Sequence, residues 1–230
     1  WGNTALVMRT SEDSGATWSR PRFIDPEHGP GISGKSQHMP IPSVFRAADG
    51  SIVLPCDSPG GTSLHISRDQ GRTWREPPGA IRGIHAGVAQ LCDGRLLAVG
   101  RGNDIDGFSP MSLSEDMGGT WTSKASPFQP LLNGQRPVLM RLREGPLFFA
   151  SFVGCTPLFY GQRQMEKRNG EDMTVLDAAG KERKVRGLFG ALSFDEGETW
   201  PVRRVIAPSA GRRTLELTYE IGRASCRERV

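Results

Sequence analysis

Three arginines (Arg101, Arg136 and Arg186), one histidine (His85) and one carboxylate (Asp57) stand at regular offsets from turn-forming residues. His85 and Arg136 lie nine residues before Gly94 and Gly145, Asp57 and Arg101 seven residues after Gly50 and Gly94, and Arg186 seven before Ser193. A planar guanidinium binds a carboxylate through paired, charge-assisted hydrogen bonds that lysine does not reproduce. Converging arginines are therefore chemistry for an acidic ligand, and a histidine among them can move a proton near neutral pH. Taken singly, an arginine is more often a solvated loop residue and a histidine at a strand start more often structural. What these five can do together depends on the elements that position them.

Those elements are announced by one pattern, S-x-D-x-G-x-T-W, at residues 11–18, 67–74, 114–121 and 193–200. A repeat this specific decides the architecture. Its Asp can accept backbone N–H bonds within a tight turn, and its Gly can take a positive φ without steric cost. Thr and Trp then start a returning strand, with the indole covering the apolar side of the hairpin. Each box has one fixed Asp and lacks the oxygen-rich spacing of a calcium loop, so a structural turn is expected rather than a metal site.

A second hairpin signal falls between boxes: Asp49-Gly50, Asp93-Gly94 and Glu144-Gly145, each between apolar runs. The unit is strand, D/E-G turn, strand, connection, strand, box, strand, which is one four-stranded blade of a β-propeller. The box tryptophans are spaced 56, 47 and 79 residues apart (18 to 74, 74 to 121, 121 to 200). The first two intervals suit blades of roughly 40–50 residues, and the third predicts an insertion over 154–184. Both turns of a blade must lie at one end, which sends Asp57, His85, Arg101, Arg136 and Arg186 to the other, where propeller loops carry binding sites.

Composition narrows the partners. The chain has 230 residues, 29 glycines, 17 prolines and a net charge of +4, with no basic cluster interleaved with aromatics, so nucleic-acid binding is not expected. No run of 18 apolar residues exists, so no membrane span is expected. Cys56, Cys92, Cys155 and Cys226 are scattered without metal spacing and read as free thiols; no metal or other cofactor is expected. Gly29 to Ser36 (GPGISGKS) matches a phosphate-binding loop, but Pro40 and Pro42 forbid the helix such a loop must open.

The boxes resemble the Asp-boxes (bacterial neuraminidase repeats) of the sialidase superfamily. HAGVAQLCDGRLLAVGR (His85 to Arg101) resembles that family's E-C-x-V-x-x-L-x-D-G-x-L-x-x-x-x-R, and RGLFGALSFDEGETWP (Arg186 to Pro201) its R-N-L-T-x-x-L-S-x-D-x-G-x-T-W-P. The resemblance implies an all-β fold, a six-bladed β-propeller of four-stranded antiparallel blades, here truncated to roughly four. Residues 1–219 form the partial propeller, and 220–230 resemble a translated sequencing adapter. It also implies an exo-acting, retaining glycoside hydrolase that removes terminal sialic acid or a related acidic sugar from glycans, this fragment itself being inactive. Arg101 and Arg186 take the places of the second and third carboxylate-binding arginines, with Arg136 and Asp57 as further substrate contacts. His85 replaces the glutamate that partners the tyrosine nucleophile, and Asp104 or Asp106 could substitute for the acid/base Asp. The nucleophile is expected outside this fragment; Tyr160 and Tyr219 are its only tyrosines. The alternative is a non-catalytic propeller that binds carbohydrate or protein, for which His85 is the best support. Sialylated or other acidic glycans are the expected partners, and such a role would suit a secreted or periplasmic protein.

Overall fold

A computed structural model describes residues 6–24, 38–40, 44–131, 135–153, 173–176 and 181–208. Gly29 to Ser36, Cys155, Tyr160, Tyr219 and Cys226 lie outside the described residues, as does most of the expected insertion. Every regular element described is a β-strand. Strands β1 (Val7–Met8) and β2 (Arg22–Phe23) form an antiparallel hairpin around the first box.

Three four-stranded antiparallel sheets follow. In the first, β3 (Met39–Pro40) and β4 (Phe45–Arg46) pair in turn along one edge of β5 (Ile52–Ser58), and β6 (Gly61–Ser67) pairs along the other. The fourth position of this blade is a single bridge, Ile66 to Arg75. Pro40 and Pro55 bring no N–H to the ladder, a reason for this blade's irregularity. The second sheet holds its strands in chain order: β7 (Ile84–Gln90), β8 (Leu96–Arg101), β9 (Pro110–Ser114) and β10 (Thr122–Ala125). In the third sheet β11 (Val138–Arg141) pairs with β12 (Leu147–Val153). The chain then makes the hairpin β13 (Met173–Leu176) and β14 (Glu182–Val185) before returning as β15 (Gly187–Ser193) and β16 (Val202–Pro208). The insertion therefore separates strands two and three of its blade.

Neighbouring sheets stack through their side chains, which alternate along each strand. On β8, Leu96 and Ala98 join Val53, Leu64, Ile66 and Ile81 of the first sheet, while Leu97 and Val99 join Leu139, Leu147 and Phe149 of the third. Both faces are buried, so the strand reads as an almost continuous apolar run. Phe128 stacks on Phe149 at 4.1 Å, with Trp200 edge-on to Phe128 at 5.2 Å. Gly87 sets the spacing of the inner strands, since a Cβ there would sit 2.7 Å from Leu139 N.

The four boxes repeat one set of bonds. Ser Oγ donates to Asp Oδ1, at 2.8–2.9 Å, and accepts the Gly N–H, at 2.7–2.8 Å. Asp Oδ1 also accepts the Thr N–H, and Oδ2 the Thr hydroxyl. The residue before each glycine shares the positive φ: Ser14, Gln70, Met117 and Glu196 lie between 56° and 62°. These bonds hold the Asp13 and Asp69 carboxyls down at about 2, with the Thr17 and Thr73 side chains the largest causes. Asp116 and Asp195 are lowered too, the first chiefly by the Thr120 backbone N–H and the second by the Thr199 side chain.

The indoles divide. Trp74 and Trp200 are 3% and 5% exposed, whereas Trp18 is 55% exposed, contrary to the expected covering role. Trp18 Nε1 donates to Gly15 O at 3.1 Å, as Trp200 Nε1 does to Gly197 O, so the turn itself orients the ring. Burial follows only where a neighbouring sheet supplies apolar side chains. The turn end carries a further repeat that joins the two turn types: Arg46 donates to Gln70, Gln90 to Met117 and Arg141 to Glu196. In the last of these, Glu196 also accepts the Cys92 N–H at 2.8 Å, tying the third blade to the second.

Candidate functional site

At the opposite end, the strand termini of adjacent blades meet. Asp57, near the end of β5, is registered with Thr62 on β6 because Pro59-Gly60 closes a two-residue turn between them. One Asp57 oxygen accepts the His85 backbone N–H at 2.6 Å, and the other lies against His85 Nδ1. The Thr62 hydroxyl lies 3.3 Å from both Asp57 Oδ1 and the Gly83 carbonyl, sharing its one proton, and accepts the Ala86 N–H at 3.2 Å. His85 is 1% exposed and Asp57 8% exposed, so the pair is buried between the first and second sheets.

The backbone at His85 shows why it needs these partners. Its φ is +54°, left-handed for a residue with a Cβ, and the β7–β8 register slips between Ile84 and Gly87. His85 and Ala86 together face one residue of β8, an arrangement that re-aims a side chain at a bulge. A left-handed non-glycine residue costs of order 1–3 kcal/mol. The backbone bond that Asp57 accepts offsets that strain, and its other oxygen, lying against Nδ1, fixes the ring. Because Nδ1 faces the carboxylate, the lone pair of the neutral ring falls on Nε2, which is then the basic nitrogen. Gly83, at φ +86°, allows the close approach: a Cβ there would lie 2.8 Å from Arg101 O.

Arg101 closes β8 directly opposite Ile84. It is half-buried and its Nη1 donates to the Gln135 carbonyl at 2.8 Å. Burial lowers the guanidinium from its ordinary value, Asp57 opposes that shift, and Arg136 adds to it. Asp57 and Arg136 are thus both within electrostatic reach of Arg101, which stays charged. Arg136 is exposed, one residue beyond the carbonyl that holds Arg101. Asp57 and His85 are thus in contact, with Arg101 within electrostatic reach of Asp57 and Arg136 of Arg101, a set drawn from three blades.

Arg186 and Asp104 are related to this set by their place at the same end of the fold. Arg186 is exposed and immediately precedes Gly187, which pairs with Val153 at the end of β12. Asp104 is half-buried in the loop after β8, where Arg82 donates to the carbonyls of Asn103, at 2.7 Å, and Asp104, at 3.3 Å. Asp106 in the same loop is exposed, with φ +50°. Sequence reasoning missed Thr62 and the Gln135 carbonyl. Thr62 had a usable signal, since a Pro-Gly turn pairs it with Asp57; a backbone carbonyl has none. Chemically, the set offers a buried imidazole base held by a carboxylate, beside guanidinium groups suited to an anionic ligand.

A family model for the BNR repeat-like domain matches residues 1–219. A search of the curated proteins finds no match. Solved structures of similar fold include a protein of unknown function from Dyadobacter fermentans, at 17% identity and a TM-score of 0.60, covering 87% of this chain and 52% of that one. The K499G mutant of NanB sialidase from Streptococcus pneumoniae is 17% identical with a TM-score of 0.59, covering 88% of this chain and 28% of that one. The Hadza microbial sialidase Hz136 is 18% identical with a TM-score of 0.58, covering 89% of this chain and 37% of that one. The chain thus spans about half or less of the structures it matches, and identities this low carry a likeness of fold alone.

Proposed function

The chain belongs to the BNR repeat-like domain family, and from that premise we propose that it is part of a sialidase-type glycoside hydrolase acting on terminal sialic acid or a related acidic sugar. The single observation that carries this reading is the set at the end away from the boxes, where Arg101 and Arg136 stand beside a base already paired with its carboxylate. Arg101, Arg136 and Arg186 bind the sugar carboxylate, Arg101 from a half-buried position that strengthens its charge-assisted bonds. His85 takes the proton of a tyrosine phenol through Nε2 while Asp57 stabilises the resulting imidazolium. The phenolate attacks the anomeric carbon, Asp104 protonates the leaving oxygen, and hydrolysis of the glycosyl-enzyme returns the sugar with retained configuration. Burial of His85 suits this role, because its partner is a protein group rather than the substrate.

The burial equally favours a second reading, a non-catalytic module in which Asp57 and His85 only brace the arginines. The test is calorimetric titration of the chain with free sialic acid, paired with an assay of sialic acid release by the full-length protein. The expected result is saturable binding that Arg101→Ala weakens by roughly a hundredfold, about 2.7 kcal/mol, together with release that His85→Ala abolishes. Binding without release supports the module. If neither sialic acid nor another acidic sugar binds, the hydrolase and a carbohydrate-binding module both fail, leaving a module that binds protein.

A further inference from the structure

On the first blade a different set of side chains converges, on the face away from Asp57. Along β5 and β6, Val53, Leu64 and Ile66 pack toward the second sheet, whereas Leu54 and Cys56 pack with Leu6 and Trp74 toward the β1–β2 hairpin. His65 belongs to this second face, its Nδ1 lying 3.7 Å from Cys56 Sγ. His38 Nε2 is 3.1 Å from Glu76 Oε1, and His65 Nε2 is 3.9 Å from Glu76 Oε2. One ligand atom from each of His38, His65 and Glu76 lies within 4.8 Å of the other two. The His65 side chain is fully buried, and those of His38 and Glu76 are 17% exposed.

We propose that His38, His65 and Glu76 form a binding site for a divalent first-row transition ion, with Zn²⁺ the ion that suits two imidazoles and one carboxylate. Donors around zinc sit about 2.0–2.2 Å from the metal, which puts tetrahedral neighbours roughly 3.3–3.6 Å apart. The 3.1 and 3.9 Å separations of Glu76 from the two imidazoles bracket that range. The fully buried His65 is the fixed ligand, its other ring nitrogen facing the Cys56 sulfur. The same sulfur lies 3.8 Å from the Leu54 carbonyl, which accepts its S–H. The sulfur is then left to accept Nδ1–H, leaving the His65 Nε2 lone pair for the ion. Three protein donors leave a fourth position for water. Because His38 precedes β3, His65 lies in β6 and Glu76 follows the Ile66–Arg75 bridge, the ion would clasp the first, third and fourth strand positions of the least regular blade.

The test uses the full chain, freed of metal with a chelator and titrated with Zn²⁺ and Co²⁺, with metal content, Co²⁺ absorption and melting temperature as readouts independent of any glycan. One equivalent of Zn²⁺, a visible Co²⁺ band and a raised melting temperature are expected. Glu76→Gln and His38→Ala, both at partly exposed positions, should each weaken binding at least tenfold, and Cys92→Ser, at an exposed thiol, should leave it unchanged. No saturable binding overturns the proposal and leaves the trio as a hydrogen-bonded cluster. Binding unaffected by Glu76→Gln and His38→Ala, or lost with Cys92→Ser, overturns it as well, because the ion then sits elsewhere.

Discussion

The two ends of the blades are built on opposite plans. At the turn end, each box closes within eight residues, and Ser, Asp, Gly and Thr make the same bonds four times. At the other end nothing repeats: Asp57 comes from β5, Thr62 from β6, His85 from β7, Arg101 from β8 and the carbonyl of Gln135 from just before β11. Local closure suits a structural end, because each turn is satisfied whatever its neighbours do. A site whose parts come from three blades exists only when those blades are stacked, so the same fold can hold different chemistry there.

The largest way to break this contrast is acid, which strikes the four boxes together. Their carboxyls lie below the ordinary value of 3.8, at about 2 for Asp13 and Asp69. The stability they contribute is therefore fully present above the ordinary value and is lost as the pH falls through the folded one. Tryptophan fluorescence followed through an acid titration should show the fold opening between about pH 4 and pH 2. A transition between pH 5 and 6 would mean that histidines, not boxes, govern stability, and the contrast would fail.

Asp57→Ala comes next. It removes the partner of the His85 ring and of its backbone N–H in a buried setting, which should cost about 3 kcal/mol in urea denaturation. Asp57→Asn, which can still accept the backbone bond, should cost about 1 kcal/mol. Equal effects would show that the site end is held by packing alone. The smallest effect belongs to Glu196→Gln, which weakens the bonds of Glu196 to Arg141 of its own blade and to the Cys92 N–H of the second. That pair is partly solvated, so a double-mutant cycle with Arg141→Gln should return about 0.5 kcal/mol. A value near the cost of Asp57→Ala would show that the turn end hangs on this one charged pair rather than on the bonds within each box.

Particular residues show what was legible. Asp93-Gly94 and the box at 114–121 bracket a blade whose four strands lie where the spacing predicts, because hairpin chemistry acts within a few residues. The offsets of Asp57, His85, Arg101, Arg136 and Arg186 follow from the same spacing, since strands of matched length end together. What the offsets lacked was the third dimension. The bulge at His85, the sharing of Thr62 between Asp57 and Gly83, and the burial of Trp74 against the exposure of Trp18 all depend on which sheet lies alongside. The cluster of His38, His65 and Glu76 escaped for that reason too. Intervals of 27 and 11 residues match no ligand spacing, and the three meet only because strands one, three and four of a blade lie side by side.

By itself, the sequence determined the blades: four boxes and three D/E-G turns dictate where strands begin and return, through backbone preferences and bonds local to each turn. Only the tertiary structure decided which side chains became partners. Asp57 could have faced solvent at the end of its strand. Stacking the second blade against the first buried it beside a left-handed His85, where a carboxylate is stable only when paired and the imidazole is the group within reach.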